Sequence, residues 1–179
     1  PKTRATVRKF QRSQGLTQEL LDSALELFLM KGFDQVSIDS IATSLGMTKR
    51  TVYALYADKA DLFKATVQRA LESWAMPIPS LQALESGDLQ ASLLRIAHKL
   101  VANAVSPIGL RIQRAINAHI YRFPELGDIA YAKGARPTVD FLADLFRRHA
   151  RAGYIKAKDP EAIAWKFMRL VVGGPAHSL

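Results

Sequence analysis

The chain is 179 residues long, 49% hydrophobic, and carries a formal net charge of +9 with an isoelectric point near 10.0. That balance excludes global disorder, leaves room for one large domain or two small ones, and favours a polyanionic partner. Cysteine is absent, which excludes disulfides and thiolate metal sites.

No apolar run approaches the ~20 residues needed to cross a bilayer, and no signal-peptide pattern opens the chain. A soluble, cytoplasmic protein with no membrane association is expected. The first residue is Pro1 rather than Met, so the natural start is expected upstream.

Residues 1–16 are expected to form a basic flexible arm. Lys2, Arg4, Arg8, Lys9 and Arg12 occur there without an acid, and the alternatives are a solvated tail or an arm that follows phosphates. From Thr17, the expected N-cap, the apolar stripe Leu20, Leu21, Ala24, Leu25, Phe28 and Leu29 predicts a helix closed by Gly32. Ser37 should cap a second helix, with Ile38, Ile41, Ala42 and Leu45 inward and Gly46 as its stop. Thr48 should cap a third, with Val52 inward and Lys49, Arg50, Thr51 and Tyr53 outward. Two short helices joined by a glycine turn, the second basic and exposed, predict a helix-turn-helix.

Asp58 opens a longer helix with Asp61 as its capping partner, and Leu62, Phe63, Thr66, Val67, Ala70, Leu71 and Trp74 form its face. Pro77 and Pro79 break that helix. Asp88, Ser106 and Asp159 are the next expected caps, with Pro107 and Pro160 at first helical positions. Gly134 and Gly153 are expected stops before and after a helix at 136–151, and the last helix should run to about Val172. Strand-like alternation is essentially absent. The fold class is therefore all-α with about nine helices, divided as arm 1–16, helix-turn-helix domain 17–60, and a larger helical domain 61–179.

The residues Ser37, Ile41, Ala42, Leu45, Gly46, Met47 and Thr48, followed by Thr51-Val52-Tyr53, Tyr56, Asp58-Lys59 and Leu62, resemble the tetracycline-repressor (TetR) family of bacterial transcriptional regulators. The likeness covers residues 17–65 most strongly. It extends more weakly to Arg122-Phe123-Pro124-Glu125-Leu126 and to Gly153 through Asp159. Tyr56 stands where the family usually has phenylalanine, and Arg50 where a small residue is common. The resemblance implies a DNA-binding head joined to a ligand-binding and dimerisation domain, with a small molecule held among the middle helices.

Arg50 can donate two bonds to guanine, so it is the expected base reader, with Lys49 beside it. Lys59, at a helix start with free N–H groups, is the expected phosphate contact. Ser37, Thr48 and Thr51 are caps first and phosphate contacts second. Tyr53 is weighed evenly between phosphate contact and packing. For the pocket that the resemblance implies, Trp74, His98, Arg111, Arg114, Asn117, His119, Tyr121 and Phe123 are candidates, each with an ordinary packing role as the alternative. For a homodimer interface on the last two helices the candidates are Phe141, Leu145, Trp165, Met168 and Val172, with burial inside one protomer as the alternative.

No catalytic motif, cofactor motif or metal-ligand spacing is present, so an enzyme is not expected and no cofactor is called for. The expected function is a homodimeric repressor that binds a palindromic double-stranded operator and is released by a small molecule. The alternatives are control by a protein partner, or an all-α enzyme or scaffold with incidental charge.

Overall fold

A computed structural model describes the backbone of residues 4–173 and the side chains of residues 15–173. The basic side chains expected to follow phosphates, Lys2, Arg4, Arg8, Lys9 and Arg12, lie outside the described side chains, and residues 174–179 lie outside altogether. Every regular element among the described residues is helical. In chain order they are α1 (Arg4–Lys31), α2 (Ile38–Ser44), α3 (Lys49–Tyr53), α4 (Lys59–Trp74), α5 (Ile78–Gln82), α6 (Leu89–Ala104), α7 (Pro107–His119), α8 (Glu125–Ile129), α9 (Arg136–Arg151) and α10 (Pro160–Met168). Two π-helical segments, Ala130–Ala135 and Arg169–Gly173, follow α8 and α10. No helix among the described residues is long and apolar enough to cross a membrane.

The chain forms two compact units, Pro1–Ala70 and Leu71–Leu179. The division therefore falls inside α4 rather than at residue 60. Three further elements differ from expectation. α1 begins at Arg4 and runs through Thr17, which is no cap. Arg, Lys, Gln and Ala before Gly15 favour helix, and one interior glycine costs only about 1 kcal/mol against alanine. Pro77 ends α4 but caps α5, with Pro79 inside the first turn, where no N–H is needed. Gly134 does not stop a helix. It lies within a π-helical segment, while the positive-φ glycines among the described residues are Gly32, Gly46 and Gly153.

The first unit is built on a cluster of three phenylalanines. Phe28 of α1, Phe33 of the following turn and Phe63 of α4 have ring centroids 5.1–5.9 Å apart. Around them Leu20, Ala24, Val36, Ile41, Val52, Leu62 and Val67 are all nearly inaccessible. α2 and α3 are far too short to persist alone. Burial of Ile41 and Val52, at about 1.5–3 kcal/mol each, outweighs a cap of about 1 kcal/mol in holding them.

The second unit's core joins Leu81 of α5, Ile96 and Leu100 of α6, Ala164 and Met168 of α10, and the α9 series Val139, Phe141, Leu142, Ala143, Leu145 and Phe146. α9 packs chiefly on α10. Its end follows the left-handed glycine pattern, with Gly153 N–H donating to the Ala150 carbonyl and Tyr154 N–H to that of His149.

Candidate nucleic-acid interface and interior cavity

Local hydrogen bonds set the α2–α3 geometry. The Ser37 hydroxyl accepts from Ser40 N–H at 3.1 Å and the Ser40 hydroxyl accepts from Ser37 N–H at 3.2 Å, a reciprocal capping box. At the far end of α2, Gly46 sits at φ 62°, where an L side chain is strained. Its N–H donates to the Thr43 carbonyl and the next N–H, of Met47, donates to the Ala42 carbonyl. The chain thereby reverses within four residues, Leu45 to Thr48, and Thr48 starts α3 by accepting from Thr51 N–H at 3.2 Å. Thr48 and Thr51 hydroxyls also bond each other at 2.9 Å.

Thr48, Lys49, Arg50 and half-buried Thr51 thus share the first turn of α3, and Tyr53, 52% exposed, stands at its end. Lys49 is ion-paired with Asp39 of α2, which ties the two helices across the turn. Arg50 is exposed and its guanidinium makes no ion pair or hydrogen bond among the described residues. Tyr56 is half-buried, and burial, with the Asp61 carboxylate adding to it, raises its phenol pKa.

Lys59, the expected phosphate contact, folds its ammonium back onto the protein. Its ammonium donates to the carbonyls of Phe33 and Val36, each at 2.9 Å, and lies 4.3 Å from the centre of the Phe33 ring. Those carbonyls belong to the turn between α1 and α2, so Lys59 ties α4 to that turn. The N-terminus of α4 is capped separately: the Asp58 carboxylate accepts from Asp61 N–H at 2.8 Å, and the Asp61 carboxylate from Ala57 N–H at 3.2 Å.

Within the second unit a cavity of about 410 Å³ is lined from α4, α6, α7, α8, α9 and α10 and from both π-helical segments. Small residues make the room: Gly127, Ala130, Gly134 and Ala135 lie on one wall. A side chain beyond Cα at Gly134 would meet the Leu71 methyl at 3.4 Å. Of the eight pocket candidates, Trp74 and Asn117 line this space. His98, Arg114 and Tyr121 are exposed, Tyr121 by 97%. Arg111, His119 and Phe123 are half-buried but not in the lining, and His119 packs 6.5 Å from the Phe123 ring.

The reason is angular. The cavity follows the α7 stripe Ile112, Gln113, Ile116, Asn117 and Ile120, and Arg111, Arg114 and His119 fall off it. Gln113, Asn103 and Thr138 were missed; a polar residue inside an otherwise apolar helical face was the available signal. The interface candidates also divide. Phe141 and Leu145 are buried in the protomer's own core, and Met168 and Val172 line the cavity, with Met168 buried. Trp165 is half-buried and stacks on Tyr131 at 5.5 Å with 10° between planes. Leu170, not foreseen, is 82% exposed.

Residues 20–66 match the family described as bacterial regulatory proteins, tetR family, and residues 91–176 match the AefR-like transcriptional repressor C-terminal domain. The chain is 27% identical to the HTH-type transcriptional repressor BdcR of Escherichia coli over 137 residues, covering 74% of this chain and 66% of that one. Against the curated relatives as a group it spans roughly half to two thirds of their length, 51% to 66% for BdcR and three mycobacterial regulators. A TetR-family transcriptional regulator structure from Mesorhizobium loti superposes with a TM-score of 0.81 at 29% identity, covering 92% of this chain and 83% of that one. The flavonoid-responsive regulator FrrA does so with 0.73 at 28% identity, covering 89% and 81%.

Proposed function

The chain belongs to the TetR family of bacterial transcriptional regulators, and from that membership we propose that it binds specific double-stranded DNA and represses transcription until a small molecule releases it. One observation carries the DNA reading. α3 is capped, exposed and short, and its Arg50 guanidinium has no partner among the described residues. An arginine held on a rigid helix with its fork free is suited to guanine O6 and N7 in a major groove. Tyr53 and the hydroxyls of Ser37, Thr48 and Thr51 flank it and suit phosphate oxygens. Lys49 reaches phosphate by exchanging its Asp39 partner. Lys59 acts at one remove, by fixing the turn that carries α2.

A helix-turn-helix with so few base contacts gains selectivity by doubling. We take the working unit to be a homodimer on a palindromic operator, with recognition helices about 34–36 Å apart for half-sites one turn apart. The last two helices are its interface, through half-buried Trp165 and exposed Leu170. The cavity favours control by a small molecule over control by a protein partner, because it lies within the range of about 300–1,000 Å³ typical of ligand sites. Such a ligand acts by favouring the state that fits DNA poorly. The protein is read as a cytoplasmic regulator with no cofactor and no catalytic step.

Affinity for random duplex DNA, measured against salt, tests the DNA reading. A steep negative dependence is expected, with binding weakened by about 1–3 kcal/mol in Arg50→Ala at its preferred sequence. Salt-insensitive binding that Arg50→Ala leaves unchanged would remove the reading.

A further inference from the structure

The chemistry of the cavity wall identifies a ligand class, an assignment that rests on reading the second unit as ligand-binding. None of the lining side chains is ionisable. Of the charged groups on nearby turns, Lys133 pairs with Glu72 at 2.8 Å, and Arg136 with Asp140 at 2.8 Å and Glu161 at 2.9 Å. An ion against this wall would give up part of its hydration without meeting a counter-charge in the lining.

Trp74 offers its ring and not its N–H, because the indole already donates to the Asn103 carbonyl at 3.2 Å, while the Asn103 amide donates back to the Trp74 carbonyl at 3.3 Å. Met76 and Met168 add thioethers, which adapt to aromatic edges. Thr138 is different. It is only 4% exposed, it lines the cavity, and its hydroxyl makes no hydrogen bond among the described residues. No fully enclosed side-chain polar atom among those residues lacks a partner, so the Thr138 hydroxyl keeps some accessible surface, and its residue lines the cavity.

We propose that the cavity takes an uncharged aromatic molecule whose single hydroxyl or carbonyl group is anchored by Thr138, with the ring against Trp74. A free hydroxyl in an apolar wall supplies one directional bond, which sets the ligand's orientation; the ring surfaces supply most of the affinity. The carboxamides of Gln113 and Asn117, one turn apart on α7, offer neutral contacts for any second polar group.

The test uses the unsubstituted full chain, with Trp74 in the cavity wall as one of its two tryptophans. Four probes of one shape are titrated by tryptophan fluorescence: hydroxybiphenyl, biphenyl, biphenyl carboxylate and biphenyl methylammonium. Hydroxybiphenyl is expected to bind at least about ten-fold tighter than either ion. Thr138→Val should weaken hydroxybiphenyl about five- to ten-fold, leave biphenyl unchanged, and leave the melting temperature unchanged, since no native bond is lost. Tighter binding of either ion, equal loss of biphenyl and hydroxybiphenyl in Thr138→Val, or no binding by any probe overturns the assignment. Saturating hydroxybiphenyl is then added to the DNA complex. Binding with the expected preference but no change in DNA affinity upholds the ligand class and removes the ligand-control reading instead.

Discussion

Two cations near α3, Lys59 and Arg50, carry opposite proposed roles, and mutation separates them. The Lys59 ammonium is held by two carbonyls of the α1–α2 turn and the Phe33 ring. Charge-assisted bonds in a half-buried setting place the expected loss for Lys59→Met at about 1–3 kcal/mol of stability, read in urea unfolding, with the salt slope of DNA binding unchanged. Arg50→Ala should do the reverse, leaving stability within about 0.5 kcal/mol while weakening DNA binding. A Lys59→Met variant of normal stability and reduced salt slope would restore the phosphate role that its position in the sequence suggested. That role was a reasonable expectation, because a lysine at a helix start looks alike whether its ammonium faces solvent or folds back. Phe33 and Val36 lie more than twenty residues away, and nothing local shows that their carbonyls converge.

At the scale of the element, termini were the most legible features. Ser37, Thr48, Asp58, Asp88, Ser106 and Asp159 each accept the N–H expected of a cap, because capping depends on three or four neighbouring residues and little else. Thr48→Ala should therefore lower stability by about 1 kcal/mol and reduce DNA affinity through loss of α3 order, measurable by unfolding and by anisotropy. The α6–α7 corner carries a sharper constraint. A Cβ at Gly109 would lie 2.7 Å from the Asn103 carbonyl oxygen and 2.9 Å from that of Ala104. Gly109→Ala should lower the melting temperature markedly, whereas Gly87→Ala, with nothing within 4 Å, should not. What stayed illegible were features set by packing at a distance. The π-helical segments leave no short-range signature, yet both line the cavity. Phe141 and Leu145, interface candidates from the sequence, are buried within the protomer; the sequence alone could not say whether such burial lay within a protomer or between two.

For the whole molecule, the division into units falls within the continuous helix α4. The proposed dimer belongs to this scale too. Leu170→Asp, at an 82% exposed position, should shift sedimentation from dimer to monomer without loss of helix content, and a dimer unaffected by it would place the interface elsewhere. The central claim, that the exposed α3 reads DNA as one of a symmetric pair, is tested most directly by selecting bound duplexes from a random pool. The selection is run with the wild-type chain and with Arg50→Ala. The wild type should enrich an inverted repeat with a guanine in each half-site, and Arg50→Ala should relax that position while retaining the symmetry. A single unrepeated half-site, no enrichment, or the same consensus from both proteins would contradict the claim.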